Sequence, residues 1–442
     1  MPPIAGLPAD LQAALVELAR EHSGRVLALL ARQFGDLDLA DEAVQDGLLE
    51  AARHWPDRGV PENPTGWLMT VARNKAIDRL RRDASARRRT LAAAPDLVAG
   101  HAVLDGSGHG GASAGVDDSA PTTVGGEQVE LGGHDGDNDQ LRLMLLCCHP
   151  ALDQDSQVAL TLRLVGGLTT PEIASAFLIS PATLAQRIVR AKRKIRDARI
   201  PLRIPDQLTQ RVDVILGVLY LIFNEGYLSR SDRTQVFRLD LADEAIRLTR
   251  LLSGLLPDSS ETSGLLALQI FHRARLDGRV DSAGDLVLLT DQDRSLWDPG
   301  RIEEANAILA AALRGMQPGP YQLQAIIAAR HANSPSPEET DWPAIAALYK
   351  QLSAMTGSPV VALNRAVAEA MANGASAGLA LLDQLTGLER YHLFHAARGE
   401  LQLRVGNPRA ARDSFIVARR LTQNPAEQRH LDRRLAVCDR AW

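Results

Sequence analysis

Gln186, Arg187, Arg190, Arg193 and Lys194, with Thr183 just ahead of them, are side chains whose types and spacing suit a specific chemistry. Glutamine and arginine each present paired hydrogen-bonding groups that match the edges of adenine and guanine in a duplex major groove. Lysine and further arginines would meet phosphate oxygens, which adds salt-dependent affinity and no sequence information. A second set, Trp67, Asn74, Lys75, Asp78, Arg81 and Arg82, joins an indole to an amide, a carboxylate and three cations. Such a mixture suits stacking and polar readout of a separated strand. Two plainer readings stand beside these: Trp67 as a core residue, and the basic run after Arg187 as a solvated helix end favoured by the helix dipole.

Both sets need helices beneath them. In "TTPEIASAFLISPATLAQRIVRAKRKI", residues 169–195, Thr169 and Glu172 have the spacing of a capping box, and Ser180 before Pro181 is a second start signal. Two helices so close together predict a helix-turn-helix. Leu184, Ile188, Ala191 and Ile195 fall on one side of its second helix, with Gln186, Arg190 and Arg193 opposite and Thr183, Arg187 and Lys194 at the flanks. In "NPTGWLMTVARNKAIDRLRR", Met69, Ala72, Ala76 and Leu80 are predicted to form the packed face, and Trp67, Asn74, Asp78 and Arg81 the open one.

The rest of the chain sets limits on what these helices serve. It has 442 residues and a net charge of −5, so its basic residues are local patches rather than a general coat. Abundant alanine and leucine with few alternating β-branched runs predict an all-α protein. No apolar run reaches the roughly 20 residues of a bilayer span, and "MPPIAGLPADLQAAL" lacks the pattern of a secretory leader, so a cytoplasmic protein without membrane contact is expected. Cys147, Cys148 and Cys438 are a poor disulfide framework. A metal reading of Cys147-Cys148-His149 competes with simple burial and lacks a second ligand pair at metal-site spacing. No metal or other cofactor is expected. Nor is there a phosphate-cradling glycine loop, a nucleophile elbow or a His-Glu metal helix, so the chain is not expected to be an enzyme. His272, Asp277, Asp281 and His331 are read as caps of helices and turns.

Composition divides the chain into four parts: a helical domain over 9–90, a Gly- and Asp-rich flexible linker over 91–139, a small helical domain over 140–200, and a long helical region over 206–442. In the last part Gly399, Ala411, Phe415 and Ala418, with "GNP" at the turn, have the small-small-aromatic-small spacing of a tetratricopeptide helix pair. "SPVVALNRAVAEAMANGASAGLALLDQL" follows the same plan about an Asn-Gly turn. An unspecialised helical bundle is the other reading of this region.

"FGDLDLADEAVQDGLLEAARHWP" with "NPTGWLMTVARNKAIDRLRR", and later "VALTLRLVGGLTTPEIASAFLISPATLAQRIVRAKRKI", resemble the first and last conserved domains of the extracytoplasmic-function (ECF) sigma factors of bacterial RNA polymerase. With "CCHPAL", "LYLIFNEGYLSRS" and the helical extension, the chain resembles the subgroup with a C-terminal tetratricopeptide-like domain. The resemblance implies two partners, core RNA polymerase and promoter DNA. Asp38, Asp41, Glu42, Gln45 and Asp46 would lie against the clamp of the largest subunit, and the last sigma domain against the flap of the second-largest. Trp67, Asn74, Lys75, Asp78, Arg81, Arg82 and the loop 61–66 would hold the melted −10 strand. Thr183, Gln186, Arg187, Arg190, Arg193 and Lys194 would read the −35 duplex. The extension would modulate activity, with Asn224, Glu225, Gly226 and Tyr227 either contacting the sigma domains or the linker, or simply ending a helix. Gly47 and Leu48 depart from the family pattern of a helix former and an aromatic. The alternative function is a polymerase-independent helix-turn-helix regulator with a repeat sensor domain.

Overall fold

Many helices begin in this chain where a short polar side chain caps the first turn, as Asp36, Asp153, Ser180, Asp298 and Asn407 do. The computed structural model describes residues 8–99, 133–177, 179–205, 208–227, 239–279, 281, 287–315, 318–422 and 424–440. All regular structure among the described residues is helical. The chain gathers into two compact units, Met1–Leu143 and Met144–Trp442.

The first unit holds α1 (Ala9–Glu17), α2 (Ser23–Phe34), α3 (Leu37–Arg58), α4 (Pro64–Ala99) and the start of α5 (Gly133–Cys147). Asp36 caps α3 by accepting from the amides of Asp38 at 2.9 Å and Leu39 at 3.0 Å. These amides have no partner inside the helix. Asp36→Ala is therefore expected to lower the opening free energy at the start of α3 by about 1 kcal/mol, read by amide hydrogen exchange, while Asp36→Asn keeps most of it.

Helix α3 packs on α4, and Gly47 shows how closely. A Cβ placed there would lie 2.7 Å from Leu68 Cδ1, so the departure from a helix former at this position is the room that α4 occupies. The expected face of α4 is buried at Met69, Ala72 and Ala76. Leu80 is not part of it and remains 44% exposed. Its neighbour Arg79 is the residue of this turn that meets α3, pairing with Glu42 and Asp46.

Two expected linker bounds also shift, since α4 continues to Ala99 and α5 begins at Gly133, ahead of residue 140. Asp139, expected as the last linker residue, is fully buried and takes Arg32 at 3.0 Å and Arg142 at 2.5 Å. The middle of the expected linker, with His101 and His109, lies outside the described residues.

In the second unit α6 (Gln154–Leu160) widens into a π-helical turn and is followed by α7 (Thr170–Ala176) and α8 (Pro181–Asp197). The capping box forms: Glu172 Oε2 accepts from the Thr169 amide at 2.7 Å, and Thr169 Oγ1 from the Glu172 amide at 3.4 Å. Ser180 accepts from the Thr183 amide at 3.0 Å, with Pro181 at the first helical position. Leu184, Ile188, Ala191 and Ile195 are the buried residues of α8, as its periodicity predicts.

Helices α9 (Leu208–Tyr227), α10 (Leu239–Leu255), α11 (Ser260–Ala274), α12 (Pro299–Ala312), α13 (Pro320–Ala332), α14 (Trp342–Thr356), α15 (Pro359–Asn373), α16 (Ala375–Leu382), α17 (His392–Arg404), α18 (Pro408–Leu421) and α19 (Pro425–Arg440) complete this unit. Consecutive helices pair through small residues. A Cβ at Gly399 on α17 would lie 2.7 Å from the Phe415 ring on α18, and Ala411, Phe415 and Ala418 are fully buried. Gly406 takes a φ of +77° at the turn, where a side chain would be strained. The Asn373–Gly374 turn between α15 and α16 likewise forms.

Some polar residues of this region are placed otherwise than expected. His331 is buried inside the helical stack, and His272 is half-buried with its ring nitrogen 3.1 Å from Arg275 Nη2, so neither stands as the cap it was expected to be. His331 lies on the inward side of α13. Cys147, Cys148 and Cys438 are buried and form no disulfide among the described residues, and burial pushes the Cys148 thiol up to about 12, so it packs as a neutral side chain.

Candidate nucleic-acid interface

Once Leu184, Ile188, Ala191 and Ile195 have been packed inward, α8 presents its other side to solvent. Thr183, Gln186, Arg190, Arg193 and Lys194 are all exposed there. Arg193 is steadied by Asp197 at 3.2 Å one turn on. Val189 shares this surface and is 64% exposed, a residue that the polar pattern hides because it is apolar on a polar face. A branched apolar side chain beside glutamine and arginine suits contact with a thymine methyl group.

Arg187 stands apart from this set. Its side chain is 31% exposed, and its Nη1 lies 3.1 Å from Asp155 Oδ2 on α6. Charge pairing therefore turns it away from the free face on which it was expected to read bases.

The second candidate surface lies on α4 in the first unit. Asn74, Asp78, Arg81 and Arg82 are exposed as expected. Trp67 is half-buried and meets the buried Trp55 edge to face, with ring centroids 5.6 Å apart, so it serves the core while keeping part of its ring open. Lys75 donates to Glu50 at 2.7 Å, and that hydrogen bond holds the Glu50 carboxyl below the usual carboxylate range. The expected loop 61–66 is shorter in the structure. Asn63 accepts from the Gly66 amide at 2.9 Å and so caps α4, placing Pro64, Thr65 and Gly66 in its first turn.

The acidic residues of α3 divide in the same way. Asp41 is only 8% exposed, because it lies along the inward line of Val44 and Leu48, and it is withdrawn from any partner surface. Glu42 and Asp46 both pair with Arg79, the latter at 2.7 Å. Asp38 and Gln45 are half-buried at the rim.

Near α8 the chain brings together more than the recognition motif. A groove of about 210 Å³ lies between α6, α7 and α8 on one side and α9 on the other, with Val158, Ile173, Leu184 and Leu221 in its lining. Asp155, Arg187 and Glu225 are its charged members. Helix α9 continues through Gly226 to Tyr227, so the polar stretch 224–227 does not interrupt it and Gly226 does not cap it.

Among the described residues, no group of three or more His, Cys, Asp or Glu is placed to hold a metal ion, and no helix is long and apolar enough to cross a membrane.

Three family comparisons follow the same division of the chain. Sigma-70 region 2 matches residues 18–86, sigma-70 region 4 matches residues 142–195, and a family of unknown function (DUF6596) matches residues 211–313. An uncharacterized protein (R00370) of Rhizobium meliloti (strain 1021) is 40% identical over 410 residues, 92% of this chain and 92% of its own length. The probable ECF RNA polymerase sigma factor SigI of Mycobacterium tuberculosis (strain ATCC 25618 / H37Rv) is 27% identical over 181 residues, 41% of this chain and 54% of that protein. No solved structure matches.

Proposed function

We propose a function from one premise: the chain is an ECF-like sigma factor, and it belongs to one family with the Rhizobium meliloti protein. It binds core RNA polymerase in the cytoplasm, directs it to promoters and assists opening of the −10 element. The chemistry of transcription stays with the polymerase.

One observation carries this reading. Two helices in separate units, α4 and α8, each bury a regular apolar face and keep exposed the residue types that suit DNA, one set for an open strand and one for a duplex groove. A duplex-only regulator needs just the second. On this account Gln186, Val189 and Arg190 read the −35 element, with Arg193 and Lys194 on phosphates, while Asn74, Asp78, Arg81 and Arg82 hold the melted −10 strand beside Trp67. Lys75 supports that site through Glu50. Glu42, Gln45 and Asp46, with Asp38, meet the polymerase clamp, and residues 142–195 meet the flap. The helical repeats beyond residue 206 modulate activity.

The packing of the helix-turn-helix against a long helical region in one unit favours a second reading, the polymerase-independent regulator. The two readings part on Asn74. Asn74→Ala is expected to slow strand opening about fivefold, the equivalent of one lost hydrogen bond of ~1 kcal/mol, while −35 duplex preference is retained. Permanganate footprinting of the melted −10 region by the holoenzyme reads this directly. Equal losses at both elements contradict the assignment of α4 to strand capture.

A further inference from the structure

We infer that α9 positions the −35-reading helix from behind, with Glu225 acting on α8 through Arg187. The inference rests on the reading of α8 as the −35 helix and adds a determinant that does not touch DNA.

Arg187 lies one residue after Gln186 and three before Arg190, so whatever fixes it also fixes the helical turn that carries the readers. Asp155 on α6 holds its guanidinium at 3.1 Å. Glu225 on α9 lines the same groove, whose lining includes Val158, Ile173, Leu184 and Leu221. Arg187 is the groove's only cation among its lining residues, and its two carboxylates come from different helices. Charges in a recess with apolar walls attract more strongly than the same charges in open water. Arg187 is thus drawn toward the rear of the motif.

Helix α9 is itself anchored to the motif at another point. Arg211 Nη2 donates to the Leu145 carbonyl at 2.7 Å, near the end of α5. From α10, Glu244 packs on the turn before α7: a Cβ at Gly166 would lie 2.8 Å from Glu244 Oε1. Val212, Ile215, Leu216 and Leu219 bury the apolar face of α9. The contacts therefore fall at the end of α5, at the turn before α7 and in the groove beside α8. None covers Gln186, Val189 or Arg190, which stay exposed.

A brace in this position sets how α8 is aimed while leaving its reading face open. Bidentate contacts to a base edge tolerate little misplacement, on the order of 0.5 Å. Residues 211–313, which match a family of unknown function, thereby contribute to promoter choice. A change in α9 would register at the −35 element without any part of the repeat region meeting DNA.

The test uses the full chain with core RNA polymerase on a promoter library randomised at both elements, with transcripts sequenced. Glu225→Arg sets two like charges in the groove and is expected to flatten −35 preference about tenfold, with −10 preference kept. Glu225→Asp, which keeps the charge, should retain most of the −35 preference. A Glu225→Arg profile identical to that of the unmodified chain overturns the inference. Loss of both preferences together, or of transcription altogether, overturns it as well, since a brace on α8 leaves strand capture alone. If the unmodified chain shows no −35 preference, the reading of α8 itself fails instead.

Discussion

Arg190→Ala is expected to lower discrimination at one base pair of the −35 element about five- to 150-fold, the range of ~1–3 kcal/mol for a lost bidentate contact. Three observations put Arg190 in that role. It is exposed, it lies one helical turn from Gln186 on the side opposite Leu184 and Ile188, and among the described residues no acidic side chain pairs with it. Arg193, by contrast, is held by Asp197, and Arg187 by Asp155. Competition between promoters that differ at single −35 positions measures the effect. A phosphate-contacting residue behaves differently: Lys194→Ala should weaken all sequences alike and reduce the salt slope by about one. If Arg190→Ala shows that uniform pattern, it is a backbone contact and the base-reading role belongs to Gln186 and Val189.

Lowering the pH from 7.5 to 4.5 is expected to remove about 2.5 kcal/mol of stability from the second unit through His331 alone. This histidine is 9% exposed, packs edge to face on Trp342, and sits near the guanidiniums of Arg275 and Arg294. Burial first, and those two cations second, hold its imidazole neutral and bring its pKa down to about 4. The unfolded chain takes up the proton near 6.5, well before the folded chain does. The stabilising contribution is therefore complete above about pH 6.5 and is lost as the pH falls toward 4. His272, half-buried beside Arg275 and Arg279, is shifted the same way, by desolvation first and those cations second. Chemical unfolding of the unmodified chain and of His331→Gln across this range isolates the contribution. Equal pH dependence in the two proteins contradicts it.

What could be read from the sequence follows from how local each determinant is. The buried face of α8, both of its start signals and the Gly399–Phe415 packing are set by residues a few positions apart or by one helix hairpin, and periodicity exposes them. Arg187 could not be read this way, because Asp155 and Glu225 lie far along the chain in each direction. Asp41 and Leu80 were misplaced for a related reason. Whether a helix position is covered depends on where its neighbour ends, and charge or apolarity alone does not say. His331 shows the same limit, since a polar residue at a helix end looks like a cap until a third helix is packed over it. Gly47, a departure from the family pattern in sequence, becomes a close helix crossing in space.

The measurement that bears most directly on the sigma-factor reading mixes the purified chain with core RNA polymerase and a promoter library, and scores complex formation and transcript start sites. The account predicts a stable complex and promoter-specific transcripts that core enzyme alone does not make. No complex, together with sequence-specific duplex binding by the chain by itself, would contradict it and leave the polymerase-independent regulator as the reading to pursue.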